Sequence, residues 1–185
     1  MAWIRVIHEE EATGDLKAHY ERIKKSRGKV ANIMKIHSLR PEAMKAHLDL
    51  YLTIMFGKPG LSRQQRELLA TVVSSINGCE YCVRHHAEAL RFYVKDEAWL
   101  RQIQRDYTQA NLSEKACRML DYAAKLTRSP SSVTEKDVEA LRAVGFPDEE
   151  ILSINLITSY FNFVNRIAQG LGVEHSEEEA RGYKY

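Results

Sequence analysis

Pro41, Pro59, Pro130 and Pro147, together with most of the glycines, fall between stretches of three-to-four-residue apolar periodicity and not inside them. Residues that break helices therefore mark the joints of a helical chain, and no stretch shows the alternation of a half-buried strand. The expected fold class is all-α. A first helix is expected over residues 15–27. A second is expected over 41–56, with Pro41 in its first turn, Met44, Leu48, Tyr51, Leu52 and Met55 on one face, and Gly57 and Pro59 ending it. Ser62 followed by Gln65 has the form of a capping box, which opens a helix whose stripe is Leu68, Leu69, Val72, Val73 and Ile76 and which Asn77-Gly78 stops. The next helix is expected from about Cys79 to Val94. Ser113 caps a further one to Arg128, and Thr134 caps another that Gly145 closes. From Pro147 to about Gly170 a longer helix is apolar on most of its circumference, so it belongs in the core or against a second copy of the chain.

Length and charge limit the function classes. A chain of 185 residues is expected to form one domain, 1–185, able to bury a core without covalent staples; its motif core lies at about 61–94, and the order of the tail 175–185 is uncertain. A net charge of +2 gives no reason to expect nucleic acid as a partner, and the basic run Arg22 to Lys29 reads as the solvated end of a helix. No apolar run approaches the ~18 residues of a membrane span, and MAWIRVIHEEEATGD carries no apolar signal region, so the expected location is the cytoplasm. Thiols there stay reduced unless they work, and the cysteine count is odd.

Chemistry concentrates in NGCEYCVRHH, where Cys79 and Cys82 precede His85 and His86. On a helix beginning at Cys79, the residues Cys79, Cys82 and His86 share one inward face, and His85 lies about 100 degrees away. A helical hairpin around Asn77-Gly78 adds Glu67. It lies about 13.5 Å along one helix from the turn and His86 about 10.5 Å along the other, so a half-buried carboxylate meets the imidazole at similar depth. Several readings remain open at this stage: small core thiols, a zinc site using Cys79, Cys82, His85 and His86, or a thiol pair that exchanges electrons. Four adjacent ligands on one helix surround a tetrahedral metal poorly, and no second ligand pair stands elsewhere; Cys117 reads as a packing residue.

The series Glu67, eleven residues, Cys79, two residues, Cys82, three residues, His86 resembles the Glu-x11-Cys-x2-Cys-x3-His signature of AhpD-like alkylhydroperoxidases in the carboxymuconolactone decarboxylase superfamily. LSRQQRELLATVVSSINGCEYCVRHHAEAL and FVNRIAQGLGVE resemble its peroxidase-related branch over most of the chain. The resemblance implies an AhpD-like helical fold with the cysteine pair at the start of a helix after a hairpin turn. It also implies homo-oligomers, often trimers or hexamers, and reduction of organic hydroperoxides through the pair at the expense of an external dithiol, with no flavin, haem or metal cofactor. Cys82 would be the peroxidatic thiol, Cys79 the resolving one, and Glu67 and His86 a proton relay. AhpD itself carries a histidine between its cysteines where this chain has Tyr81, which leaves Tyr81 and His85 as accessory candidates. A thiolate at Cys82 would pass through a sulfenic acid to a disulfide with Cys79. The helix N-terminus, in contrast, favours the thiolate at Cys79. A non-catalytic redox sensor would use the same disulfide, and a lactone decarboxylase of the superfamily would leave the thiol pair unexplained.

Overall fold

The computed structural model describes residues 2–58 and 60–183. Its helices are α1 (Gly14–Arg27), α2 (Asn32–Lys35), α3 (Pro41–Phe56), α4 (Arg63–Ile76), α5 (Glu80–Arg91), α6 (Glu97–Arg105), α7 (Glu114–Arg128), α8 (Glu135–Ala143), α9 (Asp148–Gly170) and α10 (Glu177–Ala180), with 3-10 turns at Tyr107–Gln109 and Pro130–Ser132. Among the described residues there is no strand, so the all-helical expectation holds. No described helix is long and apolar enough to cross a membrane. Each of the seven expected helices is present. The part of the expected stop that rests on Pro59 lies outside the described residues, and Gly57 caps α3, its N–H donating to the Thr53 carbonyl. The sequence reading left residues 95–112 without a helix, yet α6 forms there because Asp96 accepts from the N–H groups of Ala98 and Trp99 while Leu100 and Ile103 are buried.

Helix α4 is the axis of the molecule. Ser62 and Gln65 close a capping box at its start, and every residue from Arg66 to Ser74 is buried, because α5, α6, α7 and α9 pack around it. Burial extends to Arg66, whose guanidinium donates to the carbonyls of Leu61, Ile54 and Gly57 and so ties the α3–α4 connection to the helix. A second apolar cluster, including Leu16, Tyr20, Ile23, Met34, Met44 and Leu48, joins α1 to α2 and α3.

Between these two clusters runs a buried polar chain. His37 Nδ1 lies 2.9 Å from the Ile33 carbonyl, His47 Nδ1 lies 3.2 Å from His37 Nε2, and the Tyr160 hydroxyl lies 2.6 Å from His47 Nε2. A carbonyl only accepts, so His37 donates from Nδ1 and accepts at Nε2; His47 must then donate from Nδ1, and Tyr160 donates to His47 Nε2. The order of protons along the chain is fixed by its end. Burial, and secondly His37, hold His47 down at about 3, and burial also lowers His37.

This chain makes stability depend on pH. Unfolding returns both rings to the ordinary histidine value of 6.5. The unfolded state therefore binds more protons below that pH, and the stabilisation is complete above about 6.5 and lost as pH falls toward His47's value of about 3. We expect Tm to fall steeply on acidification through this window. His47→Gln, which keeps one donor and one acceptor without a titrating ring, should lower Tm at pH 7 but flatten the acid slope. Calorimetry at stepped pH is the measurement, and an unchanged slope in His47→Gln would show that other groups control it.

Candidate active site

The turn between α4 and α5 builds the thiol site. Gly78 adopts φ +65°, its N–H donates to the Ser75 carbonyl, and the Cys79 N–H donates to the Ser74 carbonyl. These are the two bonds of a Schellman ending, and the left-handed position suits glycine. Cys79 thereby completes the stop of α4 and at the same time is the N-cap of α5. Helix α9 pins this turn: the Asn77 side chain donates to Asn165 Oδ1 at 2.9 Å, the Asn165 side chain donates to Ser74 Oγ at 3.1 Å, and the Gln169 side chain donates to the Asn77 carbonyl at 2.9 Å.

Across the hairpin, His86 Nδ1 lies 2.7 Å from Glu67 Oε2, so the depth argument from the sequence agrees with the contact. Glu67 is fully buried, and its other carboxylate oxygen accepts from Arg63. Because a carboxylate accepts, His86 carries its proton on Nδ1 and leaves the Nε2 lone pair for another donor. The exposed glutamate that helical periodicity alone suggests is thus replaced by a carboxylate held between a cation and an imidazole.

Both thiols of the pair are free and buried, at 1% exposure for Cys79 and 2% for Cys82. The Cys82 thiol, assisted by the Cys82 N–H and the side-chain amides of Gln169 and Asn165, holds Cys79 below the usual thiol range in spite of its burial. The Cys79 sulfur and then burial push Cys82 well above that range. Of the two, Cys79 is the thiol more inclined to ionise. A cavity of about 100 Å³ lies on the Cys82 side: Cys82, His85 and His86 line it, together with apolar side chains from α1, α3 and α9.

His85 and Tyr81 line the same cavity, but their polar contacts run to α10 and to the start of α2. His85 Nδ1 lies 2.8 Å from the Tyr81 carbonyl and its Nε2 3.8 Å from Glu179, while the Tyr81 hydroxyl accepts from the Ile33 N–H and donates to Glu179. Burial opposes the charge on Glu179, but His85, the Asn32 N–H and Lys29 outweigh it and hold the carboxyl at about 2. These contacts fasten α10 over α5, and Tyr183 beyond it completes the cavity wall. Among the described residues, no group of three or more histidine, cysteine or acidic side chains is arranged to hold a metal. Cys117 is partly buried on α7, apart from the pair.

The sequence reading did not identify Tyr160, Arg27 or Tyr183 as parts of this site. All three line the cavity. Arg27 and Lys29, expected on a solvated helix end, turn inward at the end of α1, whereas Arg22 and Lys24 of the same basic run are exposed. Helical periodicity places Ile23 and Arg27 on one face, but nothing local says what that face meets.

The Carboxymuconolactone decarboxylase family model matches residues 41–125. A curated alkyl hydroperoxide reductase AhpD from Corynebacterium aurimucosum is 33% identical over 78 residues, which is 37% of this chain and 44% of that protein, so the match spans less than half of the relative. An uncharacterized peroxidase-related protein from Silicibacter sp. TM1040 is 32% identical with a TM-score of 0.83, covering 96% of this chain and 91% of its own. An uncharacterized peroxidase-related protein from Ralstonia eutropha JMP134, described as an alkylhydroperoxidase AhpD core, is 29% identical with a TM-score of 0.87 over 97% and 94%. The debrominase Bmp8, at 16% identity and a TM-score of 0.77 over 95% and 96%, is alike in fold alone. With the fold, the matched segment and a relative of nearly full coverage in agreement, the chain belongs to the AhpD-like proteins of the carboxymuconolactone decarboxylase superfamily.

Proposed function

We propose that the protein is a thiol-dependent peroxidase that reduces organic hydroperoxides through a Cys79–Cys82 dithiol–disulfide cycle, working in a reducing compartment with an external dithiol. The observation that carries this reading is that Cys82 and His86 line one cavity while Glu67 holds the far side of the His86 ring. A Cys82 thiol pushed above its usual range needs a base. His86 Nε2 takes its proton, and Glu67 balances the charge the ring acquires. The Cys82 thiolate then attacks the peroxide oxygen, the O–O bond breaks, and His86 returns the proton to the departing alkoxide, which leaves as the alcohol. Cys82 is now a sulfenic acid. Cys79, already inclined to ionise, attacks it; the S–S bond forms, hydroxide leaves and takes up a proton as water. In this scheme the two thiols differ in role, since Cys82 on the cavity side keeps its proton until substrate and base are present, and Cys79, the more readily ionised, resolves the sulfenic acid.

Helix α9 supports an oligomeric form. Leu152, Leu156 and Phe163 are 58%, 41% and 50% exposed, and their spacing of four and seven residues puts them on one face. We propose that a homo-oligomer, a trimer or hexamer, covers this stripe.

Cys82→Ser should abolish hydroperoxide consumption, whereas Cys79→Ser should leave a sulfenic acid trappable at Cys82. Glu67→Gln and His86→Ala should each slow disulfide formation at pH 7 by about 100-fold or more. The rate should recover only well above the ordinary thiol pKa of about 8.5, because Cys82 is shifted upward. The double variant should lose much less than the product of the two single losses. Stopped-flow thiol loss against pH is the measurement; unchanged profiles or fully additive losses would reduce Glu67 and His86 to packing neighbours, and equal sulfenic acid trapping in wild type and Cys82→Ser would overturn the thiol assignment. For the oligomer, light scattering of the wild type should give a multimer that Leu156→Lys with Phe163→Glu reduces to a smaller species. A wild-type monomer at micromolar concentration would refute it.

A further inference from the structure

The cavity beside Cys82 is walled mainly by apolar groups, among them Ile23, Met34, Leu48, Phe161 and Val164, yet Arg27 and Lys29 also line it. Lys29 is committed. Its ammonium donates to the Glu178 carbonyl at 2.9 Å and pairs with Glu179 at 3.4 Å, lying over the Tyr183 ring. Each imidazole has one nitrogen engaged, His86 Nδ1 with Glu67 and His85 Nδ1 with the Tyr81 carbonyl. Arg63, nearby on α4, is held by Glu67 and the Met55 carbonyl.

Arg27 differs from all of these. Among the described residues no carboxylate lies within ion-pair distance of it and none of its side-chain N–H groups has a hydrogen-bond acceptor, although it is partly buried. Its guanidinium carbon sits 4.6 Å from the Phe56 ring centre and 5.8 Å from that of Tyr51. Aromatic faces hold a guanidinium by its plane and leave its five donors at the edge free for a planar anion. An apolar chamber with an unpaired guanidinium on its wall and a thiol in its lining is complementary to a molecule that is hydrocarbon for most of its length and anionic at one end.

We propose that Arg27 anchors the carboxylate of an amphipathic acyl hydroperoxide, whose hydrocarbon body lies on the apolar wall and whose peroxide group reaches Cys82. The proposal rests on the peroxidase reading and names its substrate class. The carboxylate takes no part in the chemistry: the hydroperoxide is reduced to the hydroxy acid and water as the two thiols are oxidised to the disulfide. Arg27 is therefore a specificity-determining residue, and its contribution falls on KM and not on the chemical step.

The test compares a medium-chain hydroperoxy carboxylic acid with its methyl ester, using stopped-flow thiol loss on the full chain, the Arg27→Met variant and the Arg27→Lys variant. The wild type should favour the acid by about tenfold or more in kcat/KM, through KM, which corresponds to a charge-assisted hydrogen bond. Arg27→Met should bring the acid-to-ester ratio close to one, and Arg27→Lys should restore part of it. No wild-type preference for the acid, or equal losses for acid and ester in Arg27→Met, would overturn the assignment and leave Arg27 as packing on the aromatic rings. Binding of the unreactive hydroxy acid, measured by calorimetry, separates this claim from the peroxidase reading. If neither hydroperoxide oxidises the thiols, that reading fails, but binding about tenfold tighter to wild type than to Arg27→Met still supports the anion site, and equal binding refutes it.

Discussion

A fully buried carboxylate organises this molecule, because Glu67 cannot remain charged in the core without partners on both oxygens. Arg63 supplies one from the same helix and His86 the other from α5. The second contact couples the two halves of the hairpin and also fixes the tautomer, since a ring that donates from Nδ1 leaves the Nε2 lone pair open. Arg63 in turn lies 3.8 Å over the Phe56 ring and donates to the Met55 carbonyl, so the end of α3 is drawn into the same arrangement. One ion pair thus relates the entry of α4, the exit of α3 and the orientation of the imidazole.

The hairpin turn performs a comparable double duty. The Schellman bonds that satisfy the last carbonyls of α4 also bring Cys79 to the N-cap of α5, where the oriented N–H groups of a helix start favour negative charge. Cys82, one turn further along, lies beside the cavity and is separated from that end. A spacing of two residues between the thiols is what places one at the helix cap and the other within the first turn. Their unequal acidity follows chiefly from the hydrogen bond between the two sulfurs, then from the Cys82 N–H and the Gln169 and Asn165 amides on Cys79, against burial at Cys82.

The sequence made the local parts of this legible and left the distant ones obscure. Pro41, Ser62 with Gln65, Ser113 and Thr134 mark helix starts by chemistry that acts within four residues, and the structure places helices at each. The Glu67–His86 contact was accessible because a two-residue turn fixes the register of two helices. Helix α6 has an equally local signal in Asp96, and α10 has one in Ser176, whose side chain accepts from the Glu179 N–H; what holds the four residues of α10 in place is distant, through Glu179 to Lys29, Asn32, Tyr81 and His85. His37, His47 and Tyr160 are separated by 10 and 113 residues in their hydrogen-bonded steps, so no periodicity within any one helix joins them.

This division between local and distant information has a functional counterpart. Glu67, Cys79, Cys82 and His86 all fall within the segment 41–125 that carries the family pattern, and their mutual placement depends on one hairpin. The chamber in front of Cys82 is closed largely by residues outside that segment: Ile23, Arg27 and Lys29 at the end of α1, Tyr160, Phe161 and Val164 on α9, and Tyr183 after α10. Changes in those walls alter the shape and charge that a substrate meets while the thiols, the imidazole and the carboxylate keep their geometry. On the proposed reading, reactivity is a property of the hairpin, and selectivity a property of the helices laid over it. In the proposed scheme the Arg27 guanidinium on α1 biases which molecule arrives at Cys82 without contributing to the bond that would break there.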